Sequence, residues 1–202
     1  MNAAAPGLAS EDVVAAKRRL RAEAIERRRA WASAEERARA GAAARDRLLA
    51  AIPLPPGAAV SAFWSVGEEI DTRPLIEALH ARGHPVGLPV VVARGRPLVF
   101  RLWRPETALV PAGFGLLQPP PEAPEVVPAV SVTPLLAFDR AGWRLGYGGG
   151  FYDRTLALLR SRGGVLAVGY AFAIQEVEAV PRAPYDEPLD WLVTDRFALR
   201  LR

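Results

Sequence analysis

The feature that most constrains the fold is an apolar run that leads into a glycine-rich loop and then into a helical pattern. Residues 130–138 are strongly apolar and predict a buried strand, while residues 151 to about 160 predict a helix. Residues 142–150 between them contain five glycines. Glycine permits positive φ angles and close approach of a ligand to the backbone, and a helix N-terminus attracts anions. The pattern therefore predicts a phosphate-binding loop between a strand and a helix, with a flexible turn as the alternative.

Strands and helices alternate along most of the remaining chain. Further strands are predicted at residues 60–66, 86–92, 97–103, 165–171 and 191–194. Helices are predicted at residues 10–31, 33–51, 72–82 and, briefly, 174–179. The proline-rich residues 104–128 predict a surface loop. This alternation favours an α/β fold with a mostly parallel sheet, formed by one domain of residues 10–202 after a disordered N-terminus of residues 1–9.

The glycine-rich loop carries polar side chains that suit an anionic ligand. Its spacing matches neither the P-loop, which needs a Lys-Ser/Thr pair after the last glycine, nor the dinucleotide-binding fingerprint. A simple linker would not need so many side chains able to bind a ligand, namely Arg144, Tyr147, Tyr152 and Arg154. Asp153 stands at the predicted helix start, where it either caps the helix or holds Mg²⁺ beside phosphates. The residues alone leave these two roles for Asp153 equally open.

The first predicted helix carries a second cluster of cationic side chains. At about 100° per residue, its buried stripe is expected to contain Val13, Leu20, Ala24 and Trp31. Lys17, Arg21 and Arg28 lie on the shoulder of that stripe. One interpretation is that their alkyl stems pack while their charges reach water. The other is that Lys17 and Arg21, one turn apart, bind a shared anion.

A third candidate position lies where the strand predicted at residues 60–66 ends. In open α/β sheets, ligands bind at the carboxyl ends of strands. Glu69 would accept hydrogen bonds from N–H groups of a ligand there, and Trp64 would offer a ring face to an aromatic ligand. The alternatives are a helix-capping acid for Glu69 and a core aromatic for Trp64.

Composition narrows the remaining classes of function. The chain has no cysteine, which excludes disulfides, thiol nucleophiles and iron–sulfur clusters. Its net charge of +4 favours an anionic partner, but the basic residues do not form the aromatic-interleaved stripe of a nucleic-acid face. The sequence shows neither a secretory signal pattern nor a stretch apolar enough to span a bilayer. We therefore expect a cytoplasmic protein that binds neither membrane nor nucleic acid.

Four segments, in this order along residues 17–194, resemble the 5-formyltetrahydrofolate cyclo-ligase family, also called methenyltetrahydrofolate synthetases. They are the Lys-x-x-Leu-Arg of residues 17–21, the Glu-Ile-Asp-Thr of residues 69–72, the long signature of residues 138–154, and the Tyr-Asp-Glu-Pro-Leu-Asp of residues 185–190. The long signature is specific, and the segments span nearly the whole chain. The resemblance implies a single-domain, Rossmann-like open sheet flanked by helices, similar to the scaffold of sugar-phosphate isomerases and CoA transferases.

The resemblance also implies an activity and a set of residue roles. The activity is the cyclisation of 5-formyltetrahydrofolate to 5,10-methenyltetrahydrofolate by a monomeric ligase that uses ATP and Mg²⁺. Lys17 and Arg21 would contact ATP phosphates, Trp64 and Glu69 would line the pterin pocket, and Asp153 and Asp186 would hold the metal. The nucleotide would be wrapped by Arg144, Leu145, Gly146, Tyr147, Gly148, Gly149, Gly150, Phe151 and Tyr152. Arg144 and Tyr152 would be catalytic, and Tyr147 to Phe151 would also face the folate.

The sequence departs from the family pattern at two positions of the signature. Phe151 stands where many members have tyrosine, so a hydroxyl contact is lost while ring stacking is kept. Gly149 stands where some members have lysine, so a phosphate contact is expected to be missing. Two rival functions remain open, because a fold does not determine a function: a protein without this activity on the same scaffold, and a basic protein that associates with RNA.

Overall fold

The computed structural model of the protein describes residues 10–113 and 115–202, so the disorder predicted for residues 1–9 lies outside the described residues. Within them the helices are α1 (Glu11–Ala30), α2 (Ala34–Ala51), α3 (Arg73–Ala81) and α4 (Phe151–Ser161). Ser10 caps α1 through the Val13 amide, and Ser33 forms a capping box with Glu36 at the start of α2. These contacts satisfy amide groups that a helix N-terminus leaves unpaired. No helix in the described ranges is both long and apolar enough to cross a membrane.

The strands form one large sheet and two small hairpins. In chain order they are β1 (Val60–Ser61), β2 (Val86–Val90), β3 (Val99–Trp103), β4 (Val110–Pro111), β5 (Leu117–Gln118), β6 (Val130–Thr133), β7 (Ala137–Phe138), β8 (Arg144–Leu145), β9 (Leu166–Ala171), β10 (Trp191–Thr194) and β11 (Ala198–Arg200). The large sheet has the order β11-β10-β9-β6-β1-β2-β3. Its inner pairs are parallel, and only the pairs β2–β3 and β10–β11 at its edges are antiparallel. The predicted mostly parallel α/β sheet is therefore confirmed.

Strand order reverses at β1, which pairs with β2 on one side and with β6 on the other. The chain reaches β2 through α3, and it reaches β6 only after β3 and the β4–β5 hairpin. A crevice opens at the carboxyl ends of the strands where such a reversal occurs. Trp64, Val91 and Pro134 follow the carboxyl ends of β1, β2 and β6, and all three line the same cavity.

Helices cover both faces of the sheet, because side chains of successive strand residues point to opposite faces. Val168 and Tyr170 of β9 join the main core cluster, together with Leu48 of α2 and Leu79 of α3. The alternate residues of β9 pack instead against Leu156 of α4 in a second cluster. The predicted arrangement of a sheet flanked by helices is thus present.

Four predicted elements differ in the structure, and one strand was not predicted. Residues 60–66 form a strand only over Val60–Ser61, because the chain then bends so that Thr72 Oγ1 donates to the Phe63 carbonyl. Residues 130–138 split into β6 and β7 around Pro134, whose missing amide hydrogen disfavours continued pairing. The helix predicted at residues 174–179 is a single 3₁₀ turn, Ala173–Gln175. The predicted loop at residues 104–128 contains the short β4–β5 hairpin, and strand β11 was not predicted.

Candidate active site

A single cavity of about 710 Å³ lies at the carboxyl edge of the sheet, beneath α1 and the glycine-rich loop. Its volume falls in the range of small-molecule and cofactor sites. It is lined by every residue that the sequence placed in a site, namely Lys17, Arg21, Trp64, Glu69, Arg144, Leu145, Gly146, Tyr147, Gly148, Gly149, Gly150, Phe151, Tyr152, Asp153 and Asp186. The structure therefore brings together segments that lie far apart in the sequence.

The glycine-rich loop forms one wall of this cavity. It starts from the β7–β8 hairpin and enters α4 through Gly150, whose φ of 62° is left-handed and favours glycine. Gly148, with a φ of 104°, lies against the guanidinium of Arg21, which a Cβ at this position would approach to 3.4 Å. Arg21 Nε also donates to the Gly146 carbonyl at 2.9 Å. Arg21 thus holds the loop while the loop backbone lines the cavity.

Helix α1 carries its cations into the site because its apolar face packs on the β7–β8 hairpin. Ala24 and Leu20 join a core cluster with Leu136 and Leu145. This packing buries Lys17, whose Nζ lies 2.7 Å from Asp186 Oδ1. The pair joins residues that are 169 positions apart. The family resemblance implies that Lys17 binds phosphate and that Asp186 binds metal. Their contact is consistent with one subsite that holds both the anion and the metal.

Arg144 and Asp153 form a second ion pair of the site, in which the arginine is the enclosed member. Only 3% of the Arg144 side chain is exposed, and its Nη2 donates to Asp153 Oδ1 at 2.8 Å. Its Nη1 donates to the carbonyl of Glu187, and the Glu187 amide donates to Asp153 at 3.1 Å. Asp153 also lies in the first turn of α4, where a carboxylate interacts favourably with the helix dipole, so its place in the site and its place at the helix start coexist.

The two acids Asp153 and Asp186 suit a divalent cation. Both line the cavity, and the chain between Asp186 and Glu187 connects them through the hydrogen bond from the Glu187 amide to Asp153. The described residues contain no cluster of three or more His, Cys, Asp or Glu side chains able to hold a metal alone. Mg²⁺ needs only one or two carboxylates when phosphate oxygens and water supply its other ligands. The pair therefore fits Mg²⁺ bound together with a phosphate ligand.

The opposite part of the cavity is aromatic and contains the half-buried carboxylate of Glu69. Glu69 Oε1 accepts a hydrogen bond of 2.5 Å from Tyr147 Oη, and Oε2 accepts one of 3.0 Å from the Val66 amide. Burial raises the pKa of Glu69, and the hydrogen bonds and the charge of Arg28 partly oppose that rise. Glu69 is therefore not a helix cap. Trp64 both packs on the core and lines the cavity, with its ring centroid 6.4 Å from that of Trp103.

Two aromatic residues at the start of α4 complete the lining. The Oη of Tyr152 is buried and has no hydrogen-bond partner within the described ranges. Burial raises the pKa of Tyr152, so the hydroxyl stays protonated and able to donate. A Cβ added to Gly149 would lie 2.7 Å from the Phe151 ring. The ring thus occupies the space of a side chain at position 149, and the two departures from the family pattern are physically linked.

Arg28 is a residue of this region to which the sequence assigned no role. Its side chain is buried, and its guanidinium lies 5.8 Å from the Tyr147 ring centroid. The sequence did indicate that Arg28 could face the site. Arg28 lies on the shoulder of the buried stripe of α1 and follows Arg21 by two helical turns, so both residues lie on nearly the same side of the helix. Glu187 was also missed, because it contributes backbone groups that its side-chain type does not reveal.

The family model described as the 5-formyltetrahydrofolate cyclo-ligase family matches residues 13–195 of the chain. The chain belongs to this family. A cyclo-ligase of this name from Escherichia coli strain K12 is 41% identical over 141 residues, covering 67% of this chain and 76% of the relative. The relative from Mycolicibacterium smegmatis is 38% identical over 148 residues, covering 69% of this chain and 75% of its own length.

Solved structures with the same fold support the family assignment. The 5,10-methenyltetrahydrofolate synthetase of Aquifex aeolicus superposes with a TM-score of 0.77 at 30% identity, covering 92% of this chain and 93% of that one. The synthetase of Mycoplasma pneumoniae superposes with a TM-score of 0.70, covering 89% of this chain and 98% of that one. At 22% identity, the second likeness shows the fold alone. The cyclo-ligase resemblance inferred from four sequence segments is therefore confirmed.

Proposed function

We propose that the protein catalyses the ATP-dependent cyclisation of 5-formyltetrahydrofolate to 5,10-methenyltetrahydrofolate. The observation that carries the proposal is one cavity with two chemically different ends. One end combines Lys17 and Arg21 with Asp153 and Asp186, as a metal-bound polyphosphate requires. The other end combines aromatic rings with the half-buried carboxylate of Glu69, as a flat heterocycle with N–H donors requires.

The nucleotide would bind along α1 and the glycine-rich loop. Lys17 and Arg21 would neutralise phosphate oxygens, with Lys17 exchanging its present partner Asp186 for phosphate. Asp186 and Asp153 would then hold Mg²⁺, which supplies charge neutralisation between the phosphates. Backbone groups from Leu145 to Gly150 would approach the nucleotide closely because the glycines carry no side chains.

The folate would bind at the aromatic end of the cavity. Glu69 would accept hydrogen bonds from the N–H groups of the pterin, and Trp64 would stack against the ring. Tyr147 and Phe151 would cover the ligand from the glycine-rich loop. Tyr152 Oη, which has no protein partner among the described residues, would find one on a bound ligand.

The chemistry would proceed by phosphoryl transfer to the substrate. The formyl oxygen attacks the γ-phosphorus and ADP leaves. Nitrogen 10 then attacks the formyl carbon, loses its proton, and phosphate departs with the formyl oxygen. Arg144 would act by holding Asp153 and the Glu187 carbonyl in place around the reacting phosphate, since positioning and charge neutralisation dominate such reactions.

The test is the absorbance rise of methenyltetrahydrofolate when the protein meets 5-formyltetrahydrofolate, with and without MgATP. Asp153→Asn should abolish the rise while keeping the shape of the side chain. Asp46→Asn is a matched control, because Asp46 lies on the surface of α2 and pairs with Arg45. Folded wild-type protein that gives no rise with MgATP would contradict the proposal.

The remaining properties follow the same proposal. Residues 10–202 would act as one catalytic domain in a cytoplasmic, monomeric enzyme that binds no nucleic acid. Its sheet would be Rossmann-like and related to the sugar-phosphate isomerase and CoA-transferase scaffold. Sedimentation measurements test whether the protein is a monomer. The absence of RNA binding at low as well as high salt tests whether nucleic acid is excluded as a partner.

A further inference from the structure

Arg28 is a buried cation that the proposed reaction does not use. Its residue is 6% exposed, and its Nε has no hydrogen-bond partner in the part of the chain that the structure describes. A buried guanidinium without full hydrogen bonding costs free energy unless a nearby negative charge compensates it. Arg18 and Arg29 on the same helix are exposed, so α1 does not require burial of its arginines in general.

The negative charge that faces Arg28 is Glu69. Tyr147 lies between them, with its ring centroid 5.8 Å from the Arg28 guanidinium carbon and its Oη 2.5 Å from Glu69 Oε1. Tyr147 itself and Tyr152 of α4 also interact electrostatically with Glu69, and both hydroxyls are neutral because burial raises the pKa of each. Arg28 is therefore the cation that offsets the carboxylate from α1.

We propose that Arg28 is a positioning residue that holds Tyr147 against the Glu69 carboxylate and balances the charge of that carboxylate, ready to receive the pterin. Glu69 must be ionised to accept two N–H hydrogen bonds, since a protonated carboxyl becomes a donor. Burial pushes Glu69 toward the protonated form, and a nearby cation opposes that effect. The Arg28 guanidinium over the Tyr147 ring also favours one orientation of that ring.

The proposal that Glu69 receives a pterin rests on the proposed function, but the link between Arg28 and Glu69 belongs to the ligand-free protein. The first measurement therefore uses no ligand. Carboxyl ¹³C NMR follows the titration of Glu69, whose signal is assigned by its loss in Glu69→Gln. Arg28→Met keeps an unbranched apolar stem and removes the charge, so the Glu69 midpoint should rise above that of the wild type.

Two variants separate charge from packing. Arg28→Lys keeps a cation and should leave the Glu69 midpoint near that of the wild type. Arg29→Met removes the charge of the neighbouring arginine, whose side chain is 59% exposed and pairs with Glu26. This change should leave the titration midpoint of Glu69 unchanged. An unchanged Glu69 midpoint in folded Arg28→Met would overturn the proposal, as would equal shifts in Arg28→Met and Arg29→Met.

The second measurement connects the pair to folate. The dissociation constant of 5-formyltetrahydrofolate should rise as pH falls, because Glu69 becomes protonated, and in Arg28→Met this rise should begin at a higher pH. In a Glu69→Gln background, Arg28→Met should weaken folate binding less than twofold, since no carboxylate remains to be balanced. Equal weakening in both backgrounds would overturn the positioning role. Wild-type protein that binds no folate would refute the proposed function, while the NMR titration would still decide the link between Arg28 and Glu69.

Discussion

Replacing Arg144 with methionine should cost both stability and turnover. The substitution keeps much of the side-chain volume but removes the donors to Asp153 Oδ1 and to the Glu187 carbonyl. Breaking a buried ion pair costs about 3–5 kcal/mol because the remaining charge is left uncompensated. Here Asp153 is 23% exposed and keeps the hydrogen bond from the Glu187 amide, so we expect the lower end, about 3 kcal/mol.

Urea denaturation followed by circular dichroism measures this loss. For a chain of this length, about 3 kcal/mol corresponds to a fall in Tm of roughly 6–12 °C. The second partner provides the decisive comparison. Arg144→Met leaves the Asp153 carboxylate unpaired, and Asp153→Asn removes that charge. The double variant should therefore lose less stability than the sum of the two single losses. The coupling energy should exceed about 1 kcal/mol.

In the Arg144→Met variant, the turnover number should fall by a larger factor than the affinity for folate. Arg144 holds Asp153 and the Glu187 carbonyl rather than the reacting group itself, so its loss should lower turnover through misplacement of Asp153, by about 10²-fold, while folate contacts at Glu69 are untouched. Additive single losses within about 0.5 kcal/mol would show that Arg144 and Asp153 do not act as a pair. Unchanged turnover in a folded Arg144→Met variant would refute the catalytic role of Arg144.

Three further substitutions test other parts of the site. Glu69→Gln should weaken folate binding at neutral pH and leave nucleotide binding intact in calorimetry; equal loss of both would indicate misfolding. Tyr152→Phe should change the free energy of unfolding by less than about 0.5 kcal/mol, because its hydroxyl has no partner among the described residues, yet it should weaken ligand binding. A clear loss of stability there would mean that the hydroxyl is satisfied within the protein. Gly149→Lys should destabilise the fold by about 1–3 kcal/mol through its clash with the Phe151 ring, and Phe151→Ala should relieve much of that cost. Additive effects of the two changes in urea denaturation would contradict the steric link.

Local signals in the sequence accounted for most of the elements. The N-caps at Ser10 and Ser33 act through side-chain contacts within three or four residues, so the starts of α1 and α2 were predictable. Strand lengths were less predictable, because they depend on partners distant in sequence. Residues 130–138 are apolar throughout, but only tertiary pairing decides that β6 joins the large sheet while β7 turns away to pair with β8.

The sequence by itself determined the family and the residue types of the site. The glycine-rich signature and the segments around Lys17, Glu69 and Asp186 carry that information, because a loop that approaches a ligand needs particular residues at a particular spacing. Their identity does not depend on knowing what lies beside them in space.

Only the tertiary structure decided which of these residues act on one another. Lys17 pairs with Asp186, Arg144 pairs with Asp153 rather than reaching freely into the cavity, and Arg28 is buried behind Tyr147. Each outcome follows from how α1 and the β7–β8 hairpin pack together, which fixes distances between groups remote in the chain. Charge interactions depend on those distances and on burial, and neither quantity is written in the local sequence.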